Sequence, residues 1–425
     1  MTKRILIIAY NFPPMGGGGV QRTVKFVKYL PRFGWEPVVL TASDPNYWAV
    51  DASLNSDIPQ GTHIERISAP GRLFSLVSTG SKIIGTRPGR TLTHMLFFPD
   101  DKISWARKAA RRGVRLVEGR SIDAVLSTSP TPSAHLAAEH VSRRTGIPWI
   151  VDFRDLWSGD YRKATDPAWI AKKHLNTEGR VLRSADHVVC ATEGFRARFI
   201  ERHRLEPHRI SAIHNGFDPD DFPETSGALK PSGNTEPIVM IHSGSLYGEG
   251  LPEGFLTGLA QSLTKNSPQS RRLVLRFIGV MDDRLVRRIE SILGNAARFD
   301  GYLDHRDAVE AVRRADIALL AAPHRENAML VVHGKLFEYL ASGTPILAAV
   351  PEGEAARIVR ETGAGAVITE NDPRTIANIL PDTVESLLNG REYSPSAEKI
   401  QKYNRIHLTG RLARILNNVT EAGHA

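Results

Sequence analysis

Short apolar runs alternate with helix-like stretches along both halves of the chain, and this alternation most constrains the fold. The segment RILIIAY (4–10) has the continuous hydrophobic character of a strand buried on both faces. After it, apolar residues recur at the spacing of one helix face: Val20, Val24, Val27 and Leu30. Repetition of this strand–helix order predicts an α/β fold built on parallel sheets.

A stretch without periodicity, residues 219–236, separates the two halves. It is rich in Pro, Gly, Ser and charged residues, as linkers are. A chain of 425 residues also exceeds the usual size of one domain. We therefore predict two doubly wound, Rossmann-like domains, 1–218 and 237–395, which face each other across a cleft. Residues 396–425 are predicted to form a C-terminal helix that packs back on the N-terminal domain.

Composition and charge narrow the setting in which the protein works. The single cysteine, Cys190, excludes an internal disulfide framework, and no apolar stretch reaches the roughly 20 residues that span a bilayer. We therefore expect a cytoplasmic protein. Residues 66–120 hold twelve Lys or Arg and three acidic residues, which accounts for the whole net charge of +9. Because apolar and aromatic residues are interspersed there, we predict peripheral contact with an anionic membrane rather than with nucleic acid. The alternative is a solvated helix face.

Four consecutive glycines, Gly16, Gly17, Gly18 and Gly19, follow the first predicted strand. A backbone without side chains at a helix start can approach a phosphate closely. A dinucleotide fingerprint needs a third glycine at position 21 or 22, where Gln21 and Arg22 stand. The run thus favours phosphate or sugar contact, with a structural turn as the alternative.

Two aspartates end a predicted strand of the first half, in DFRDLW (152–157). Asp152 or Asp155, facing the predicted cleft, could orient or deprotonate an acceptor hydroxyl. The alternative is a capping aspartate with an Arg–Asp pair that holds the following loop.

The most informative segment of the second half is residues 324–349. It contains a loop after a predicted strand and then a helix with Lys335 and Glu338. Lys335 could contact a phosphate, and Glu338 could accept hydrogen bonds from ribose hydroxyls. The alternative is an ordinary surface pair at i, i+3.

Together with the glycine-rich loop and the order of the elements, three ordered motifs resemble the retaining glycosyltransferases of family 4, which have the GT-B fold. These motifs are HNGFD (214–218), HSGSLYG (242–248) and GKLFEYLASGTPILA (334–348). DFRDLW is similar to a bacterial subgroup associated with cell-surface polysaccharides. The resemblance covers nearly the whole chain.

The resemblance implies a donor site for a nucleotide-diphosphate sugar. Glu338 matches the second Glu of the family's Glu-x7-Glu motif, which binds the ribose, and Gly16 to Gly19 match the loop that contacts donor phosphates and sugar. The other implied donor contacts are Gly244, Ser245, Gly279, Tyr302, His333, Gly334 and Lys335.

Two positions depart from the family pattern. Leu330 stands where the first Glu of Glu-x7-Glu belongs, and Ser245 stands where an Arg holds the diphosphate. Arg325 and Lys335 could supply the missing positive charge.

The sequence thus predicts a metal-independent glycosyltransferase that needs no cofactor and transfers a sugar, with retention of anomeric configuration, to a saccharide or lipid-linked acceptor. Asp155, Asp152 and Lys335 are the predicted catalytic residues. A nucleotide-sugar epimerase or hydrolase of the same fold, or a degenerate nucleotide-sugar-binding subunit, is the alternative.

Overall fold

A computed structural model describes the chain in eight stretches. These are residues 2–43, 50–68, 97–158, 167–222, 237–246, 250–264, 273–325 and 327–422. Contacts between residues divide the chain into two compact units. Unit 1 comprises Met1–His214 and Arg405–Ala425, and unit 2 comprises Asn215–Asn404.

Unit 1 is built on a seven-stranded sheet in which every pairing is parallel. Its strands are β1 (Lys3–Ile8), β2 (Trp35–Ser43), β3 (His63–Ser68), β4 (Ala124–Thr128), β5 (Trp149–Phe153), β6 (His187–Cys190) and β7 (Ile210–Ala212). Its helices are α1 (Gly18–Tyr29), α2 (Ile103–Arg120), α3 (Pro132–Thr145), α4 (Ala168–Ser184) and α5 (Glu193–His203).

Unit 2 is built on a six-stranded parallel sheet. Its strands are β8 (Ile238–Ser243), β9 (Leu273–Ile278), β10 (Ala297–Phe299), β11 (Ile317–Ala321), β12 (Ile346–Ala349) and β13 (Gly365–Ile368). Its helices are α6 (Glu253–Thr264), α7 (Asp283–Leu293), α8 (His305–Arg314), α9 (Gly334–Ser342), α10 (Glu354–Thr362), α11 (Pro373–Leu388) and α12 (Ala397–Gln401). The last helix of the chain, α13 (Arg405–Ala422), belongs to unit 1.

Both sheets have the strand order of a doubly wound fold. The order is β3-β2-β1-β4-β5-β6-β7 in unit 1 and β10-β9-β8-β11-β12-β13 in unit 2. The order reverses between β1 and β4 and between β8 and β11, and ligands of such sheets bind at the carboxyl ends of the strands at this switch point. The central strands β4, β5, β11 and β12 are buried along their whole length, as expected when helices cover both faces. The predicted α/β architecture with two Rossmann-like domains is confirmed.

The C-terminal helix α13 completes the core of unit 1. Leu408, Leu412 and Leu416 pack into the same buried cluster as β1 and α1. The indole N–H of Trp35 donates to Asn417 over 3.1 Å.

The boundaries differ from the predicted ones. Unit 2 begins at Asn215, so the HNGFD motif lies across the boundary instead of within the first domain. The short helix α12 also belongs to unit 2, where Ile400 joins the core, so only residues from Arg405 onward return to unit 1. The local pattern of 396–425 did not distinguish these two destinations, because both helices bury an apolar face.

Candidate functional site

The glycine run follows β1 at the switch point of unit 1. Gly17 has φ = +91°, a conformation that favours glycine, and α1 begins at the next residue. A Cβ atom at Gly16 would approach Asp51 Cβ to 3.0 Å, and one at Gly19 would approach Arg154 Nη1 to 2.8 Å. In unit 1 the space beside Gly16 and Gly19 is therefore occupied by the side chains of Asp51 and Arg154.

The loop after β5 brings Arg154 and Asp155 to the glycine run. Ser129, just after β4, accepts hydrogen bonds at Oγ from the backbone N–H of Arg154 (2.7 Å) and of Asp155 (3.2 Å). Arg154 Nη2 donates to Asp155 Oδ2 over 2.8 Å, and the Asp155 side chain is 39% exposed. The structure thus places a solvent-accessible carboxylate, paired with an arginine, at the carboxyl end of the sheet.

Asp152 has a different environment from Asp155, although both lie in the DFRDLW motif (152–157). Its side chain is 1% exposed, and its carboxylate accepts hydrogen bonds from the Arg22 guanidinium and from Thr128 Oγ1 (2.8 Å). Arg22 also donates to the carbonyl oxygens of Ile213 and His214. Asp152 is therefore an interior member of an ion pair, and it does not present its carboxylate at the surface as the sequence predicted.

At the switch point of unit 2, Lys335 reaches from the first turn of α9 to the end of β8. Its Nζ lies 2.7 Å from Nε2 of His242. A Cβ at Gly244 would lie 3.0 Å from the same Nζ, and Gly244 has φ = +118°. Burial lowers the pKa of Lys335 to about 8, while the nearby Glu338 carboxylate acts to raise it.

The predicted donor residues Gly244, Ser245 and Gly279 form one cluster. Gly279 follows β9 with φ = +125°, and a Cβ there would come within 2.6 Å of the Gly244 carbonyl carbon and 2.9 Å of the Ser245 nitrogen. Gly279 N donates to the carbonyl of Gly301 over 2.7 Å, which brings the residue before Tyr302 to this cluster. The Tyr302 side chain is 53% exposed.

The start of α9 gives this cluster a positive helix end. His333 is the capping residue and Gly334 the first helical residue, and the first backbone N–H groups of a helix attract anions. Glu338 lies one turn on and lines a small pocket with Ser243 and Ser342. Arg325 and Leu330 lie half-buried in the loop between β11 and α9.

Two residues of this site were not singled out by the sequence. His242 is fully buried, and Tyr339 accepts a hydrogen bond at its hydroxyl from the Ser243 backbone N–H over 2.8 Å. Burial raises the pKa of Tyr339. The sequence signal for His242 is its place as the first residue of the HSGSLYG motif (242–248), at the end of an otherwise apolar strand.

Within the described stretches, no group of three or more His, Cys, Asp or Glu side chains is arranged to hold a metal ion. No helix in the same stretches has the length and apolar character needed to cross a membrane.

Comparison with known families assigns both halves of the chain. Residues 17–216 match the Glycosyl transferase 4-like domain, and residues 230–407 match Glycosyl transferases group 1. A curated relative, D-inositol 3-phosphate glycosyltransferase 2 of Catenulispora acidiphila, is 23% identical over 261 residues, which are 57% of this chain and 58% of that relative. The chain thus spans little more than half of that protein's length.

Solved structures share the fold over the full length. Sucrose-phosphate synthase from Thermosynechococcus elongatus is 16% identical with a TM-score of 0.65, covering 99% of this chain and 100% of that one. An Anabaena protein crystallised with UDP and glucose is 15% identical with a TM-score of 0.61, covering 98% and 100%. By both family models and by fold, the chain belongs to the family 4 type of glycosyltransferases, with the two Rossmann-like domains of the GT-B fold.

Proposed function

We propose that the protein transfers a sugar from a nucleotide-diphosphate sugar to an acceptor hydroxyl, with retention of anomeric configuration and without a metal ion or cofactor. The donor would bind unit 2 and the acceptor unit 1. The observation that carries the proposal is the Lys335 ammonium beside Gly244, at the switch point and in the first turn of α9. A cation, a helix start and a bare backbone together suit a diphosphate.

The leaving group sets the charge requirement. When the bond between the anomeric carbon and the diphosphate oxygen breaks, its electron pair stays on that oxygen, so negative charge builds up on the diphosphate. Fixed positive groups that face this charge lower the barrier. Ser245 replaces the arginine of the family pattern, and we propose that Lys335 and Arg325, with the N-terminus of α9, provide the charge instead.

On the acceptor side we assign the reacting carboxylate to Asp155. The acceptor oxygen forms the new bond to the anomeric carbon, and its proton passes to a base; Asp155 is exposed at a strand end and fits this role. Asp152 is held by Arg22 and Thr128, so its role would be to fix the strand end that carries Asp155. Glu338 is proposed to accept hydrogen bonds from the ribose.

A thermal-shift screen against UDP-, GDP-, ADP- and dTDP-sugars tests the donor assignment. We expect at least one of them to raise the melting temperature, because a ligand that binds only the folded state stabilises it. If none does, the donor site is disproved. Nucleotide release that proceeds equally well without any acceptor would instead indicate an epimerase or hydrolase. Binding without any turnover would indicate a degenerate subunit.

We further propose that the acceptor is lipid-linked, in surface polysaccharide or glycolipid synthesis, and that unit 1 contacts the cytoplasmic face of an anionic membrane. Residues 69–96 of the basic region lie outside the described residues. The described helix α2 carries Arg107 and Arg111, which with His140 of α3 line a groove of about 390 Å³. Its other lining residues are apolar: Ile103, Ala106, Ala110, Leu136 and Ala137. An apolar groove beside arginines suits a hydrocarbon chain with an anionic head.

Co-sedimentation with vesicles of phosphatidylcholine and phosphatidylglycerol tests the membrane proposal. Binding should need the anionic lipid and weaken as salt is raised. The double variant Arg107→Ser/Arg111→Ser should bind several-fold more weakly. The matched control is Arg143→Ser/Arg144→Ser, which removes the same charge from the exposed end of α3. Equal losses in both double variants would mean that only net charge matters, and salt-independent binding would contradict the proposal.

A further inference from the structure

His242 is an ionisable side chain in the interior of unit 2. It lies in β8 with no exposed surface, next to Ile241, in a strand that pairs with β9 and β11. A buried polar ring costs free energy unless its nitrogens are hydrogen-bonded. Both ring nitrogens of His242 have partners, so the ring is held in one orientation.

The two hydrogen bonds fix the tautomer of the ring. His242 Nδ1 lies 3.1 Å from the carbonyl oxygen of Leu319. A carbonyl oxygen only accepts, so Nδ1 must carry the proton and donate. Nε2 then has a free electron pair, and the Lys335 ammonium donates to it over 2.7 Å. Burial and the neighbouring charge of Lys335 keep the pKa of His242 well below its ordinary value, so the ring remains a neutral acceptor.

Among the residues that the structure describes, the charged group that acts on the pKa of Lys335 is the Glu338 carboxylate. Glu338 of α9 acts to raise this pKa, whereas His333 acts on the pKa of His242 and lowers it. The Leu319 carbonyl of β11 contacts His242 Nδ1. From α8, the residues that line the pocket by Glu338 are apolar: Ala308, Val309 and Val312. Within the described residues, His242 is the hydrogen-bond partner of the lysine.

We propose that His242 is a positioning residue which holds Lys335 Nζ beside Gly244 as the anchor for the donor diphosphate, so that donor binding requires the protonated lysine. This inference rests on the proposed function. An ammonium has three N–H groups, and His242 takes one of them. By fixing one hydrogen bond, the imidazole would restrain a flexible side chain in the geometry that an anion needs.

The direction in which nucleotide affinity changes with pH follows from the pKa of Lys335 in the unliganded site. The pKa of Lys335 is about 8 without a ligand, and a bound diphosphate would raise it. Binding therefore takes up a proton above pH 8, and the affinity should be flat below that pH. It should then fall by up to tenfold for each pH unit above it.

Titration calorimetry with UDP, GDP, ADP and dTDP from pH 7 to 9.5 tests the inference. In His242→Phe, which keeps a ring but no acceptor, we expect about tenfold weaker nucleotide binding at pH 7. The pH above which nucleotide affinity begins to fall should also be lower in this variant, because the ammonium of Lys335 has lost its acceptor. His242→Gln keeps an acceptor near the Nε2 position and should retain most of the affinity. His187→Phe is the control, because this half-buried histidine of unit 1 bonds to Ser211.

The outcomes separate the inference from the function on which it rests. If the unaltered protein binds none of UDP, GDP, ADP and dTDP, the proposed function itself fails. If it binds one, but nucleotide affinity begins to fall at the same pH in His242→Phe, the positioning role is overturned. A second readout needs no nucleotide: the pH profile of Lys335 acetylation by acetic anhydride, followed by mass spectrometry. An unchanged profile in His242→Phe would also overturn the inference.

Discussion

The switch points of the two units have the same topology, but their cationic side chains have different hydrogen-bond partners. In unit 1 the space beside Gly19 is taken by Arg154, whose guanidinium pairs with the Asp155 carboxylate. In unit 2 the space beside Gly244 is taken by Lys335, whose hydrogen-bond partner is a neutral imidazole. A paired cation has its charge balanced by the protein, whereas a cation on a neutral acceptor retains its attraction for an anion.

This difference agrees with the proposed roles of the units, in which unit 1 binds the acceptor and unit 2 binds the donor. The balanced pair in unit 1 suits a neutral hydroxyl, for which a carboxylate can serve as a base. Lys335 of unit 2, whose direct hydrogen-bond partner is neutral, suits a diphosphate. Glycines at a strand end therefore do not identify a phosphate site by themselves, because what fills the space beside them decides the chemistry.

The sharpest test of the comparison replaces the carboxylate of unit 1. Asp155→Asn should lower transfer by about 100-fold, since removal of a general base typically costs 10² or more. Donor affinity should not change. Transfer is measured with the donor found in the screen, and affinity by calorimetry. A variant that loses both equally would place Asp155 in donor binding.

Asp152→Asn is the matched control because it removes the other carboxylate of the same motif. The Arg22 guanidinium would then remain charged in an interior where its side chain is 1% exposed. Removing one partner of a buried pair costs about 3 kcal/mol or more, so this variant should unfold at lower denaturant concentration. Asp155→Asn should not. Equal stability of the two variants would contradict the distinction between them.

Lys335→Met tests the other side of the comparison. Losing the cation and its hydrogen bond to the diphosphate should weaken nucleotide binding about 100-fold, since bonds to charged groups contribute roughly 1.5–3 kcal/mol. The fall in affinity above pH 8 should also disappear. Lys399→Met is the control, because this lysine of unit 2 is exposed. If both variants bind alike, Lys335 does not contact the donor.

Much of the fold was accessible from the sequence because it depends on local pattern. The predicted strand RILIIAY (4–10) corresponds to β1 (Lys3–Ile8), and the glycine run lies at the start of α1 as predicted. Boundaries were less accessible, since HNGFD lies across the division between the units and no local signal marks it.

The site residues were harder to predict because their partners are distant in sequence. The sequence leaves a surface pair of Lys335 with Glu338 as an alternative, but in the structure the Lys335 ammonium bonds to His242, 93 residues away. Asp152 and Asp155 look equivalent in DFRDLW. In the structure Asp152 is distinguished by its partners Arg22, which is 130 residues away, and Thr128. Spacing along one helix or strand contains no information about such pairings.

A smaller effect on nucleotide affinity is expected at Gly279, where an added Cβ would meet backbone atoms instead of a side chain. Gly279→Ala would force a Cβ within 2.6 Å of the Gly244 backbone at φ = +125°. Strain of this kind costs about 1–3 kcal/mol, and we expect nucleotide affinity to fall about tenfold as the Gly244 turn shifts. Gly294→Ala is the control, with φ = +54° and no atom within 4 Å of the new Cβ. Equal losses would mean that positive φ alone matters.

The smallest effect should come from Gly19→Ala, which tests whether the glycine run of unit 1 belongs to the acceptor side. The new Cβ would lie 2.8 Å from Arg154 Nη1, the end of a flexible side chain that can move aside. Its shift would disturb the bond to Asp155, so we expect transfer to fall about threefold with donor affinity unchanged. Gly119→Ala in α2, where a Cβ meets no atom within 4 Å, is the control. Because Arg154 connects Gly19 with Asp155, the Gly19→Ala defect should vanish in an Asp155→Asn background. A persistent defect would assign the run to another role, such as direct contact with the donor phosphates.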